Sequence, residues 1–94
     1  MSKQFSNVTK ALQSEAGFRC PCCRFKTLRG RGQYEICKVC FWEDDGQDDH
    51  DANDVRGGPN GTLSLSKARD NFAEFRAADR RFCQKVRQPL PSEL

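Results

Sequence analysis

The sequence predicts a small α+β domain, a β-hairpin carrying two Cys-x-x-Cys knuckles and packed against a C-terminal helix. Three observations carry that prediction. The cysteines fall in two spaced pairs, Cys20/Cys23 and Cys37/Cys40, with thirteen residues between the pairs. The intervening segment is β-rich and broken by a glycine turn: Phe25-Lys26-Thr27-Leu28, then Gly30 and Gly32, then Gln33-Tyr34-Glu35-Ile36. Farther on, Leu65, Ala68, Phe72 and Phe75 recur at helical spacing behind Ser64, whose hydroxyl suits an N-cap.

Taken in order, residues 1–17 read as a polar lead with a short helix from Ser6 to Ala16, where Val8 and Leu12 stand one turn apart. Residues 18–88 read as the single domain. Alternation along the hairpin puts Tyr34 and Ile36 on one face and Glu35 on the other. Residues 43–62 are a loop, because Gly57-Gly58-Pro59-Asn60-Gly61 lets no regular element continue. The helix begins at Leu65 and its stripe is expected to pack on the ribbon. Ala78, Phe82 and Val86 extend it or start another until Pro89 and Pro91 end regular structure. Residues 89–94 are then expected to form an extended tail.

A chain of 94 residues, 36% apolar and 31% charged, buries little apolar surface against the entropy of ordering its backbone, so a staple is expected. The six cysteines are its source. Met1 to Phe18 is polar and lacks the apolar run of a secretory signal, so the expected compartment is the cytoplasm. There, patterned cysteines bind metal or do redox work more often than they form disulfides. No stretch is long and apolar enough to span a membrane.

Two thiolates three residues apart can turn toward one ion, and two such pairs supply four sulfur ligands at about 2.3 Å in the tetrahedron that zinc favours. Cys20, Cys23, Cys37 and Cys40 are therefore the candidate ligands of one structural zinc ion in a zinc ribbon. Redox dithiols and iron–sulfur clusters also use Cys-x-x-Cys pairs. Knuckles flanking a hairpin, without a thioredoxin-like strand–helix context, favour zinc. Arg19, Arg24 and Lys38 beside the ligands, with backbone N–H groups, are expected to offset the negative charge of the thiolates. Cys22 and Cys83 read as packed small hydrophobes, and His50 as a solvated loop residue.

Seven of the thirteen carboxylates fall between Glu43 and Asp54, a window without Lys or Arg. The rest of the chain carries sixteen basic residues against six acidic ones, so a charged partner is expected. Trp42 with Asp44, Asp45, Asp48 and Asp49 combines an aromatic with fixed carboxylates, which suits a basic protein surface and equally suits a tryptophan in the core. Calcium binding of the EF-hand kind is disfavoured: counting from Asp49, the sixth position is Asp54 rather than Gly and the twelfth is Asn60 rather than Glu. The alternative surface is the hairpin tip, where Arg24, Lys26, Arg29 and Arg31 suit phosphate contact with nucleic acid or a ribosome. No Ser/His/Asp set and no phosphate-cradling loop before a helix is present, so no catalytic role is expected.

With these residues read, the chain resembles the cysteine-rich CPCC family of small bacterial proteins, named for the motif at Cys20-Pro21-Cys22-Cys23. The resemblance runs through Tyr34-Glu35-Ile36-Cys37, Val39-Cys40-Phe41-Trp42-Glu43-Asp44-Asp45-Gly46, Gly57-Gly58-Pro59-Asn60-Gly61, Leu65-Ser66-Lys67-Ala68-Arg69 and Val86-Arg87-Gln88-Pro89-Leu90-Pro91, about residues 18–91 in all. It implies a ribbon plus helix and, because some relatives accompany bacterial toxins, a protein partner in an immunity or toxin-neutralising role. Two departures matter. Arg24 and Phe41 stand where many zinc knuckles place glycine, and Lys67 stands where the resemblance implies an acidic residue completing a capping box with Ser64.

Overall fold

The computed structural model describes residues 16–94. The helix expected from Ser6 to Ala16 therefore lies, but for its last residue, outside the described residues. What organises the rest is a tight turn made twice. At the first knuckle the Cys20 N–H donates to the Phe25 carbonyl (2.9 Å) and the Arg24 N–H to the Cys20 carbonyl (2.8 Å). At the second, the Cys37 N–H donates to the Trp42 carbonyl (2.9 Å) and the Phe41 N–H to the Cys37 carbonyl (2.8 Å). The residue after each second cysteine reverses the chain through the left-handed region, Arg24 at φ 74° and Phe41 at φ 71°.

Glycine takes that conformation freely, whereas a residue with a Cβ is strained by roughly 1 kcal/mol. Arg24 recovers little, because its ion pair with Asp49 (3.1 Å) is exposed at both ends. Arg24→Gly is accordingly expected to leave stability unchanged or raise it by up to about 1 kcal/mol in chemical denaturation with metal in excess. Phe41→Gly is expected to lower it, because the Phe41 ring packs 4.8 Å from that of Phe82.

Strand β1 (Phe18–Arg19) pairs antiparallel with β2 (Lys26–Leu28), Phe18 opposite Leu28 and Arg19 opposite Lys26. Across the second knuckle, Ile36 bridges Glu43, the Tyr34 N–H donates to Asp44 (2.9 Å) and the Asp44 N–H to Glu35 (3.0 Å). This corrects the expected hairpin, in which 25–28 would pair with 33–36 over the Gly30/Gly32 turn. Each segment pairs across its own knuckle instead. A four-residue knuckle closes the shortest loop, so its flanking strands meet first. The Gly30–Gly32 connection becomes a loop, closed by the Arg29 N–H on the Glu35 carboxylate (2.8 Å).

Helix α1 (Leu65–Phe75) starts where Ser64 Oγ accepts from the Lys67 N–H (3.1 Å), so the cap forms without an acidic residue at Lys67. It ends at Arg76, which takes φ 67° and donates its N–H to the Phe72 carbonyl. That reversal is why Ala78, Phe82 and Val86 do not continue the helix. The segment instead runs beside the second knuckle, with the Ala78 N–H on the Cys40 carbonyl (2.7 Å) and the Arg87 N–H on the Lys38 carbonyl (3.3 Å). Leu65, Ala68 and Phe72 form the buried stripe of α1, meeting Trp42, Leu28, Val39 and the knuckle cysteines in one core. No helix among the described residues is long and apolar enough to cross a membrane.

The final residues include a 3-10 turn, Pro91–Glu93, lying against β2. Glu93 is buried there, accepting from both Arg87 amino groups (2.8 and 2.9 Å) and from the Leu90 N–H (2.8 Å). Arg87 first, then the Leu90 N–H, overcome burial and hold the carboxyl below its usual range. A carboxylate so shifted contributes its full stability above the ordinary glutamate value of about 4.3 and loses it as pH falls through the lowered folded value. Because Arg87 is partly solvated, Glu93→Gln is expected to cost about 1 kcal/mol at neutral pH. The gap between variant and parent, followed in denaturation curves against pH, should close below about pH 4.

Candidate metal centre

The two knuckles face one another, and their second-residue reversals bring all four cysteine sulfurs to one point. The Sγ atoms of Cys20, Cys23, Cys37 and Cys40 all lie within 4.8 Å of one another, on four buried residues. Two of the distances, Cys20 to Cys40 and Cys23 to Cys37, are 3.6 Å. Four sulfurs each about 2.3 Å from one ion form a tetrahedron with edges of about 3.8 Å, so the cluster has the size of a single tetrahedral ion.

The hydrogen bonds around the sulfurs point the same way. Cys37 Sγ accepts from Thr27 Oγ1 (2.9 Å) and from the Val39 and Cys40 N–H groups (both 3.4 Å), and Cys40 Sγ accepts from the Trp42 N–H (3.4 Å). Such donors suit thiolates. Hydrogen bonds from Cys20, Cys23 and Cys40 pull the Cys37 thiol far down against the cost of burial. Cys20 is pushed up, first by Cys23 and then by Cys37, and Cys40 by Cys20 and Cys22. Four thiolates this close repel one another, and a cation at their centre offsets that repulsion.

Two of the three cations expected to offset this charge, Arg19 and Arg24, are turned elsewhere. Arg19 donates to the Arg24 and Leu94 carbonyls (2.6 and 3.2 Å), and Arg24 to Asp49. Arg87 is the guanidinium that feels Cys37, after its stronger pairing with Glu93. Sequence reasoning missed it, although Arg87 stands inside the Val86–Pro91 block. Cys22 is buried but is not one of the four. Cys83 is exposed rather than packed, because it caps the outer end of the 3-10 turn Arg80–Phe82. His50 is exposed, 3.7 Å from Asp51.

The family model described as cysteine-rich CPCC matches residues 18–93, from the first residue of β1 to the buried Glu93. The chain belongs to the cysteine-rich CPCC family. No curated protein and no solved structure matches it.

In this CPCC protein the acidic loop and the basic tip are two halves of one network. Trp42 and Asp44 are fully buried, so neither is open to a partner. Asp44 accepts from Arg31 Nε (2.9 Å) and from the Gly32 and Gly46 N–H groups (2.8 and 3.1 Å). Arg31 also reaches Asp48 (2.6 Å) and the Gln47 carbonyl (2.8 Å). Asp45 accepts from the Gln47 N–H (3.1 Å). Asp49 is exposed and takes Arg24 (3.1 Å) and Arg69 (2.8 Å), while Asp51 takes Arg56. Arg31 holds Asp48 below the usual carboxylate range, and Arg69 and then Arg24 do so for Asp49.

Of the other tip residues, Arg29 lies 3.4 Å from Glu35 and Lys26 sits half-buried in β2. Arg69 also donates to the Pro21 carbonyl (2.8 Å), tying α1 to the CPCC knuckle and the acidic loop at once. Arg56 and Arg69 are the network members that sequence reasoning did not single out. Their signal was the acidic window itself, since seven carboxylates in a compact domain call for cations from elsewhere in the chain.

Proposed function

We propose that the chain is a non-catalytic protein-interaction module whose fold is held by one structural zinc ion, bound as a tetrathiolate by Cys20, Cys23, Cys37 and Cys40. The observation that carries the reading is the size of the sulfur cluster, with two distances of 3.6 Å and every Sγ within 4.8 Å of the others. That spacing supports a single ion. In iron–sulfur clusters the cysteines attach to different irons, and their sulfurs stand farther apart. Bound zinc supplies a cross-link between the knuckles and, with four protein ligands, offers no open position to a substrate.

Binding of a protein rather than nucleic acid is supported by the occupation of the tip cations: Arg24 is paired with Asp49, and Arg31 with Asp44 and Asp48. The immunity or toxin-neutralising role implied by the resemblance is one form of this reading.

Elemental analysis and native mass spectrometry of protein purified without added metal test the zinc assignment. About one zinc per chain is expected. Metal-free folded protein, or iron with visible absorption, would overturn it.

A further inference from the structure

Because Asp44, Asp48, Asp49 and Asp51, four of the seven carboxylates of the acidic window, pair with arginines of the same chain, much of the charge that the sequence places on that loop is already met within the fold. The segment after α1 carries Arg76, Arg80, Arg81, Lys85 and Arg87, of which Arg87 pairs with Glu93, Arg81 with Asp79 (3.4 Å) and Arg80 with Glu74 (3.9 Å), and it lies along the second knuckle, which adds Lys38. On that side Ile36, Lys38, Phe41 and Lys85 line an open hollow of about 300 Å³. Phe41 packs on Phe82 (4.8 Å), Arg81 stacks over Phe82 (4.6 Å) and the Lys85 ammonium stands 6.0 Å from the Phe41 ring. Ile36 is 39% exposed, although it is a large aliphatic residue. Neither Lys38 nor Lys85 meets a carboxylate among the described residues.

We propose that this hollow docks an acidic polypeptide segment, taking one aromatic or large aliphatic side chain between Ile36 and Phe41 while Lys38 and Lys85 pair with flanking carboxylates. The proposal deepens the interaction-module reading and rests on it. Charge complementarity chooses the partner's sign, and an apolar floor between two unpaired ammonium groups chooses an apolar anchor. Single-stranded nucleic acid fits the hollow less well, because Phe41 is, among the described residues, the one ring lining it, and Phe82 behind it already carries Arg81, so successive bases find no run of open rings there.

The test uses the full metal-loaded chain and four probes: a capped peptide of Asp and Glu around one Phe, the same peptide with Ala for Phe, a lysine-rich control peptide, and an oligouridine. Affinities come from fluorescence anisotropy and the contact face from NMR shifts. The Phe peptide is expected to shift Ile36, Phe41 and Lys85, and to lose affinity tenfold or more with Ala for Phe and in the Lys38→Glu/Lys85→Glu variant. Lys67→Glu, on α1, is expected to leave binding unchanged. Equal loss in Lys67→Glu, no difference between the two peptides, or tighter binding of oligouridine would overturn the proposal. Shifts confined to the acidic loop with a lysine-rich control peptide would overturn this surface while leaving the interaction-module reading standing. Metal content measured on the same samples separates either result from loss of the fold.

Discussion

Cys37→Ser is expected to abolish the native fold at room temperature. Cys37 is the most heavily coordinated sulfur of the cluster, accepting from Thr27 Oγ1 at 2.9 Å and from two backbone N–H groups at 3.4 Å, with Cys23 Sγ 3.6 Å away. A serine hydroxyl is a poor ligand at neutral pH, so the site drops to three sulfurs. Metal binding in such sites is worth on the order of 10 kcal/mol, which is comparable with the whole stability of a small domain. Trp42, the only tryptophan, is fully buried in the same core and reports the outcome directly. Loss of far-ultraviolet circular dichroism with a red-shifted Trp42 emission is expected, and a strong chelator should produce the same spectra from the parent. Cys83→Ser, at an exposed thiol, should leave both signals unchanged. A Cys37→Ser protein with native spectra would show that the core stands without the metal.

Asp44→Asn is expected to cost about 3 kcal/mol without loss of metal. Asp44 is fully buried, and it receives Arg31 together with the N–H groups of Gly32 and Gly46. The amide keeps the shape but removes the charge, and it presents an NH₂ group to donors on at least one side. Arg31, whose side chain is only 29% exposed, then holds a guanidinium between Asp48 and a neutral neighbour. Removing one member of a buried pair is costly because the other stays desolvated. Its partial exposure places the effect at the lower end of that range. Denaturant midpoints with zinc in excess measure it. A loss under about 1 kcal/mol would mean that the network is surface decoration.

These two residues also mark where sequence reasoning succeeded and where it stopped. The four-cysteine cluster was readable because a Cys-x-x-Cys pair is a local unit: three residues of spacing are enough to turn two sulfurs toward one point. Helix α1 was readable for the same reason, through its Leu65/Ala68/Phe72 period and the Ser64 cap. Strand pairing was not. The segments 25–28 and 33–36 look like hairpin partners, yet each knuckle reverses its own flanks, with Arg24 and Phe41 taking the positive φ that other knuckles give to glycine. Charge pairing was equally hidden. Asp44 and Arg31 are thirteen residues apart, so a run of carboxylates and a run of arginines read as two surfaces until the fold closes them into one network.

The most direct test of the metal assignment is X-ray absorption at the zinc edge on protein purified without added metal. Four sulfur scatterers at about 2.3 Å, with no nitrogen or oxygen shell and no second metal, is the predicted result. Fewer than four sulfurs, a light-atom shell, or an iron edge with a short metal–metal distance would contradict the single tetrathiolate zinc on which this account of the fold depends.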